Sequence, residues 1–162
     1  MLYLIRHASA GDRRRWQGDD TLRTLDATGR AQADAIAEAL AAAPIRRVLS
    51  SPSTRCVQTV QPLAARLALD VEVCAELAEG AAARRADALV QRMCAEAGDS
   101  VLCSHGDVIP GVLRQLAGRG IDVNPARCKK ASIWELHIAA GAISHGVYRS
   151  PRSLGFRPPD PV

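Results

Sequence analysis

An arginine and a histidine follow the first apolar run of the chain, and a second histidine follows a later one. Arg6 and His7 come directly after residues 1–5, and His105 comes shortly after the apolar run 101–103. A guanidinium holds a phosphoryl group by paired hydrogen bonds, and a neutral imidazole can attack its phosphorus. In open α/β sheets, ligands gather beyond the carboxyl ends of the strands. These residues therefore predict a phosphate site that contains a nucleophile.

A further candidate lies in the segment 50–59, which reads Ser-Ser-Pro-Ser-Thr-Arg-Cys-Val-Gln-Thr. Ser51 followed by Pro52 is typical of an N-cap and a first helical residue, and predicts a helix that continues through Leu67. Arg55 then lies in the first turn, where free N–H groups and the helix dipole favour an anion. An isolated arginine there is most often a surface residue. Its coincidence with the two strand-end histidines favours a role in anion binding.

The elements that position these residues alternate between strands and helices. Apolar, β-prone runs predict strands at 1–5, 46–50, 71–73, 100–103, 131–138 and 142–148. Apolar residues at helical spacing predict helices at about 30–43, 52–67, 84–97 and 107–118, with Asp26 as the N-cap of the first. This alternation indicates an α/β fold, a three-layer α/β/α sandwich with a mostly parallel central sheet.

Length and composition indicate one folded domain. The chain has 162 residues, of which 48% are hydrophobic and 23% charged, so that it can bury a sizeable core. We expect residues 1–150 to form a single domain. Residues 151–162 hold four of the nine prolines and are predicted to form an extended Pro-rich tail.

The composition argues against several classes of partner. The net charge is +4, and the positive residues are almost all arginine because Lys129 and Lys130 are the only lysines. Few aromatic residues and no basic repeat argue against nucleic acid. No apolar run approaches the roughly 20 residues of a membrane span, and Arg6 interrupts the N-terminal run that could serve as a signal peptide. We therefore expect a cytoplasmic location with no membrane partner.

The five cysteines predict neither a disulfide framework nor a zinc site, because their number is odd and no two are spaced Cys-x-x-Cys. Cys103 stands two residues before His105 and is therefore a conceivable catalytic thiol. Its place inside an apolar run favours a buried strand residue instead, since free cysteine is commonly buried.

Four segments together resemble the histidine phosphatase (phosphoglycerate mutase-like) superfamily, and the small size resembles its short phosphohistidine phosphatase branch. The segments are 4–8, 25–33, 50–59 and 103–107, and they follow one another in the family's order. The resemblance implies a phosphoglycerate mutase-like fold. It also implies a phosphatase that works through a phosphohistidine intermediate with no metal or other cofactor. The family's Arg-His-Gly reads Arg6-His7-Ala8 here, a change to another small residue.

The resemblance also implies a role for each site residue. His7 would be the nucleophile. The phosphoryl oxygens would be bound by Arg6, Arg55 and His105. In larger members a glutamate in a Leu-x-Glu context protonates the leaving oxygen and then activates water. Glu79 fits that context, and Glu76 is the alternative. Both glutamates could also be solvated loop residues.

Substrate contacts beyond the phosphoryl group are less defined by the sequence. Arg13 and Trp16, in the loop after His7, are candidates for substrate binding or solvated loop residues. The substrate would be a phosphohistidine protein or another phosphomonoester. The alternatives are a mutase, a sugar-phosphate or nucleotide phosphatase, and a non-catalytic phosphate-binding module. Little chain between Val73 and Asp99 is left to cover a small substrate, which disfavours the mutase. The sequence makes no prediction of oligomeric state.

Overall fold

The structure, a computed structural model, describes residues 1–156 and contains one six-stranded sheet. The strands are β1 (Leu2–Arg6), β2 (Ile45–Ser50), β3 (Val71–Val73), β4 (Asp99–Ser104), β5 (Ile133–Ala139) and β6 (Ala142–Arg149). The α-helices are α1 (Ala27–Leu40), α2 (Thr54–Arg66), α3 (Ala83–Cys94) and α4 (Val108–Gly118). Each predicted strand and helix is present, with ends that differ by a few residues.

The sheet is parallel on one side and antiparallel on the other. Its order is β3-β2-β4-β1-β5-β6. The first four of these strands are mutually parallel, whereas β5 runs antiparallel to β1 and β6 antiparallel to β5. The carboxyl ends of β1, β2 and β4 therefore meet at one edge. Arg6 is paired with Ser104, and Ser50 with Cys103, at that edge.

Two helices cover each face of the sheet, which confirms the predicted sandwich. Side chains alternate between the faces along each strand. Ile5 belongs to the core beneath α1 and α2. Its neighbour Leu4 belongs to the core beneath α3 and α4. Within residues 1–156, no helix is both long enough and apolar enough to cross a bilayer.

The start of α2 differs from the prediction. Ser53, not Ser51, is the N-cap, and Thr54 is the first helical residue. The N–H of Ser51 donates to the carbonyl of Cys103 in β4 (2.9 Å), so the chain is still bound to the sheet at this position. Arg55 is therefore the second residue of α2 and keeps its place in the first turn.

The predicted extended tail also differs over its first residues. Pro151–Leu154 form a short 3₁₀ helix, in which the side chain of Ser150 accepts a hydrogen bond from the N–H of Ser153. Leu154 is buried in the core beneath α1 and α2. A cap, a proline and one apolar side chain thus suffice to dock this turn on the domain. Residues 157–162 of the predicted tail lie outside the described residues.

Candidate active site

The structure brings the two strand-end histidines and the helix arginine together. His7 follows β1 and His105 follows β4, and their ring centroids lie 5.3 Å apart at an angle of 62°. Arg55 reaches the same point from the start of α2, with its Nη2 atom 3.4 Å from Nδ1 of His105. All three side chains are buried. Three segments that are distant in the sequence therefore form one cationic cluster.

The ring of His7 is fixed by its own backbone. Its Nδ1 atom lies 2.8 Å from the carbonyl oxygen of Ala8. A carbonyl only accepts, so this hydrogen bond places the ring proton on Nδ1 and leaves the lone pair on Nε2. Burial, together with His105 and the nearby guanidiniums, lowers the pKa of His7 to about 3 although the Ala8 bond opposes this. At neutral pH, Nε2 is therefore unprotonated, and its lone pair is available for attack.

The loop after His7, residues 8–11, is held by α1 and α2. The first N–H group of this loop donates to the hydroxyl of Thr59, and the second donates to the side-chain oxygen of Gln32, each at 2.9 Å. Asp26 accepts one from its last N–H group (2.8 Å) and is also the N-cap of α1, as predicted. Gly29 permits this contact, because a Cβ atom there would overlap a carbonyl oxygen of the loop. The segment that follows His7 is thus tied to two helices.

Arg55 is 1% exposed and is paired with two carboxylates. Its Nη1 atom donates to the backbone oxygen of Asp20 (2.7 Å) and lies 3.2 Å from the carboxylate of the same residue. Its Nη2 atom donates to Oε2 of Glu79 (2.9 Å). Two anionic partners fix the guanidinium beside His105, so that little rotamer freedom remains to be lost when an anion binds.

Arg6 and Arg55 share one unusual feature. Within residues 1–156, their two Nε atoms are the buried side-chain nitrogen or oxygen atoms that have no hydrogen-bond partner. Arg6 is otherwise held by the carbonyl of Cys128, to which its Nη1 atom donates (2.6 Å), and its guanidinium lies where a side chain at Gly106 would be. An unsatisfied buried donor costs about 1–3 kcal/mol. Such a cost on two neighbouring arginines is typical of residues kept for function.

His105 is oriented by a residue that the sequence analysis took for a helix cap. The hydroxyl of Ser51 lies 2.7 Å from Nε2 of His105. That contact leaves Nδ1 as the nitrogen on the side of Arg55. Cys103, the alternative nucleophile, is fully buried in β4, and burial raises the pKa of its thiol. A protonated thiol in the sheet core is no candidate for attack on substrate.

The two candidate acids are clearly separated in the structure. Glu79 lines a cavity of about 310 Å³ together with His7, Arg6 and Arg55. Glu76 is outside this lining and pairs instead with Arg92 of α3 (3.3 Å). The loop that carries Glu79 is held where the N–H of the next residue donates to a carboxylate near the start of α4. The geometry therefore favours Glu79.

The loop after His7 holds two candidates for substrate binding, and one of them reaches the cavity. Arg13 lines the same cavity, and its Nη1 atom donates to Oε1 of Glu79 (3.1 Å). Trp16 lies outside this lining and donates from Nε1 to the carbonyl of Asp19 (3.0 Å). Arg13 is thus placed to meet a substrate in this cavity, whereas Trp16 is used within its own loop.

Three residues at the site were missed by the sequence analysis. Asp20 binds Arg55, and Arg23 donates to Asp20 (2.8 Å) and to the carbonyl of Ala10 (2.7 Å). No spacing signal links this polar loop to the strand ends. Lys130 lines the cavity. Lysine is rare in this chain, with only two residues, and that rarity is the one sequence feature that could have drawn attention to Lys130.

Residues 2–82 match the sequence profile of the histidine phosphatase superfamily, branch 1. The match spans half of the chain and includes Arg6, His7, Arg55 and Glu79. The chain belongs to the histidine phosphatase superfamily. The membership expected from the motifs is thereby confirmed, and His105 lies beyond the matched segment.

Relatives of this member of the superfamily are found among curated proteins and solved structures. It is 35% identical over 153 residues to the 8-oxo-(d)GTP phosphatase of Mycolicibacterium smegmatis, which covers 91% of this chain and 47% of that protein. The chain thus spans about half the length of this relative. The fold is shared with the protein histidine phosphatase SixA complexed with tungstate (TM-score 0.73, 24% identity, covering 94% of this chain and 98% of that one). It is also shared with a phosphoserine phosphatase of Entamoeba histolytica (TM-score 0.69, 17% identity, covering 92% and 94%).

The low pKa of His7 predicts how the stability of the folded chain depends on pH. The folded-state pKa of about 3 lies below the ordinary value of 6.5, so as the pH falls below 6.5 the unfolded chain takes up a proton that the folded chain refuses. We expect His7→Asn to remove this penalty. Wild type should lose about 1.4 kcal/mol of unfolding free energy relative to His7→Asn for each pH unit below 6.5. Above pH 6.5 the difference between the two proteins should stay constant.

Urea unfolding of wild type and His7→Asn between pH 8 and 5 measures this difference, and the ¹⁵N shifts of the His7 ring report its charge directly. His145→Asn is the matched control, because that histidine is exposed. A His7 ring that gains a proton between pH 7 and 6 contradicts the prediction.

Proposed function

We propose that the chain is a metal-independent phosphatase that forms a phosphohistidine intermediate on His7 and acts on a phosphohistidine protein or another phosphomonoester. One observation carries the proposal. An imidazole whose Nε2 atom is unprotonated lines a cavity with two arginines, each of which has a buried Nε–H without an acceptor. A nucleophile and an anion site thus share one cavity.

The reaction follows from the placement of these groups. Nε2 of His7 attacks phosphorus, and the bond to the leaving oxygen breaks, with its electron pair passing to that oxygen. Glu79, once it has bound a proton from solvent, gives that proton to the leaving oxygen. Glu79 then takes a proton from a water molecule, which attacks the phosphohistidine, releases phosphate and restores His7. Glu79 must first turn from the two arginines that it contacts.

The cationic cluster stabilises the phosphoryl group in transit. Arg6 and Arg55 line the cavity, and Nδ1 of His105 lies 3.4 Å from Nη2 of Arg55. Because they are held in place before substrate arrives, they need little reorganisation when charge develops on the equatorial oxygens. Fixed guanidiniums supply here the positive charge that metal ions supply in other phosphoryl-transfer sites.

Two kinds of substrate have support among the relatives. The structural neighbour SixA, a protein histidine phosphatase, supports a phosphohistidine protein. The Mycolicibacterium relative, an 8-oxo-(d)GTP phosphatase that covers 91% of this chain, supports a nucleotide as the second candidate. The short connection from β3 to α3, residues 74–82, leaves little material to enclose a sugar phosphate as a mutase does. A non-catalytic module has no need of the unprotonated ring of His7.

We also propose a cytoplasmic location. All five cysteines are unpaired in the structure, as is typical of proteins from reducing compartments.

The decisive test is to trap the intermediate in the presence of EDTA. We expect the enzyme to hydrolyse p-nitrophenyl phosphate at an unchanged rate when EDTA is present. We also expect rapid quenching to yield a phosphoenzyme that is stable to alkali and labile to acid, as a phosphorus–nitrogen bond is. Peptide mapping should place the phosphate on His7. Loss of activity in EDTA contradicts metal independence, and a phosphate on any other residue contradicts the proposed nucleophile.

A further inference from the structure

A second cavity, of about 550 Å³, adjoins the site on the side of Arg6. The residues that line it include Arg6, Gln32, Lys129, Lys130, Arg152 and Phe156. Arg6 and Lys130 also line the cavity that contains His7. The two cavities are therefore neighbours that share two cations.

This second cavity carries a concentrated positive charge. Four of its lining side chains are cationic, and no aspartate or glutamate lines it within residues 1–156. None of the four forms an ion pair with a carboxylate in that part of the chain, whereas nine other arginines do. Like charges left together without counter-charges repel and destabilise the folded state. Such a cluster fits an anionic ligand.

The backbone holds this cluster against the nucleophile's strand. Ala131 directly follows the two lysines and has a φ of 58°, the left-handed region that residues with a Cβ rarely adopt. Its N–H donates to the carbonyl of Arg6 (3.1 Å). Just before the lysines, the carbonyl of Cys128 accepts from the guanidinium of Arg6 (2.6 Å). A strained residue on one side and a charged hydrogen bond on the other fix the pair of lysines beside the site.

Another flank of the site is richer in carboxylates. A third cavity, beside Glu79, is lined by three carboxylates, those of Asp20, Glu79 and Asp107, and by one cation, Arg13. An anionic extension of the substrate is repelled there and attracted on the side of the lysines. The charge distribution therefore gives the second phosphate of a substrate one favourable direction.

We propose that the basic cavity binds a second phosphate group of a small-molecule substrate, so that the enzyme removes the terminal phosphate from a diphosphate such as that of a nucleoside diphosphate. This proposal rests on the proposed function. The cavity volume falls in the range of small-molecule sites, and the ring of Phe156 offers an aromatic surface to a base.

The chemistry of a diphosphate suits this arrangement. The bond from Nε2 of His7 to the terminal phosphorus forms as the bond from that phosphorus to the bridging oxygen breaks. The electron pair leaves with the second phosphate, which departs as an anion next to Arg6 and Lys130. Water then cleaves the phosphorus–nitrogen bond, which gives inorganic phosphate and restores the ring. A phosphate leaving group is already a stable anion and demands little help from a proton donor.

The test separates the second cavity from the catalytic one by using two cations that line only the second. The variant is Lys129→Gln combined with Arg152→Gln. The matched control is Arg84→Gln combined with Arg85→Gln, which removes two exposed charges of α3. The ligand is the α,β-methylene analogue of adenosine diphosphate, which cannot be hydrolysed. Calorimetry measures its Kd and that of inorganic phosphate, and p-nitrophenyl phosphate measures basal activity.

We expect Lys129→Gln/Arg152→Gln to raise the Kd of the analogue about 10-fold or more, since two charge-assisted contacts are lost. The Kd of inorganic phosphate and the rate with p-nitrophenyl phosphate should stay within about 2-fold, because the first cavity is intact. The proposal is wrong if the control raises the Kd of the analogue equally, or if the Kd of inorganic phosphate rises in parallel. It is also wrong if the Kd of the analogue stays constant and only the turnover of a phosphohistidine peptide falls. The Kd comparison needs no turnover, so it tests the second cavity alone. The proposed function fails separately, if hydrolysis does not depend on His7.

Discussion

Replacing His7 with alanine is expected to lower kcat/KM for p-nitrophenyl phosphate by about 10⁴-fold or more, the scale on which nucleophile removal acts in enzymes with covalent intermediates. The arginines and His105 would still bind the phosphoryl group. Binding without attack leaves the substrate intact, because water lacks the position that the Nε2 atom holds next to the bound phosphorus. Steady-state assays in EDTA, with rapid quench for phosphoenzyme, measure the effect.

The chain offers a matched control for this prediction in His145, an exposed histidine of β6 that stacks on His137 with ring centroids 4.1 Å apart. His145→Ala should keep kcat/KM within about 2-fold, since exposed side chains remote from a site contribute little. We expect His7→Ala to fold, because it removes a ring that must stay uncharged in a cationic cluster. If His7→Ala retains a tenth of the activity, another group is the nucleophile.

The strand-end placement of the site could be predicted because it depends on local patterns and one general rule. Short apolar runs mark β1, β2 and β4, and parallel strands bring their carboxyl ends to one edge. His7, Arg55 and His105 follow these strands closely in the sequence. Their convergence needs no long-range information beyond the alternation of strands and helices.

The supporting contacts could not be predicted because they join segments that no pattern connects. Asp20 lies in a polar loop, and its pairing with Arg55 depends on how that loop folds back over α2. Ser51 had two physically sound uses, as a helix cap or as a partner of His105. The first is excluded because α2 begins at Thr54, with Ser53 as its N-cap. Local propensity is outweighed here by a tertiary contact.

The same limit explains the difference at the carboxyl end of the domain. A proline-rich segment has a low propensity for regular structure, so an extended tail was the natural expectation. Leu154 is the one large aliphatic side chain in residues 151–156, and its burial beneath α1 decides the conformation of the turn around it. One well-placed apolar residue can dock a short segment when a cap and a proline already favour the turn.

Stability and chemistry conflict in this site, and such a conflict is typical of residues that serve function. The unpaired Nε atoms of Arg6 and Arg55, the neutral ring of His7 and the left-handed Ala131 each make the folded state less stable than a repacked alternative. All of these groups line the cavity that contains His7 or the basic cavity beside it, or lie next to one of the two. Sites that violate local rules are expected to coincide with function, because selection there acts on reactivity.

Arg55→Met is expected to lower kcat/KM by about 10²–10³-fold, the range found when one preorganised donor to a developing charge is removed. Methionine preserves most of the buried volume but leaves Glu79 and Asp20 without their shared cation. Those carboxylates keep Arg13 and Arg23 as partners, so we expect a moderate loss of stability, about 1–3 kcal/mol. Phosphatase assays and urea unfolding measure the two effects.

Arg66→Met is the matched control, because it removes another arginine of α2 that also forms an ion pair, in this case with Glu38 (2.6 Å). Arg66 is half exposed, and such a pair contributes about 0.2–1 kcal/mol. Inorganic phosphate should raise the Tm of wild type and of Arg66→Met, and raise that of Arg55→Met much less, because the anion site has then lost one of its two guanidiniums. Equal phosphate stabilisation in all three proteins would mean that Arg55 serves the structure alone, and the anion would then have to be held by Arg6 and His105 without it.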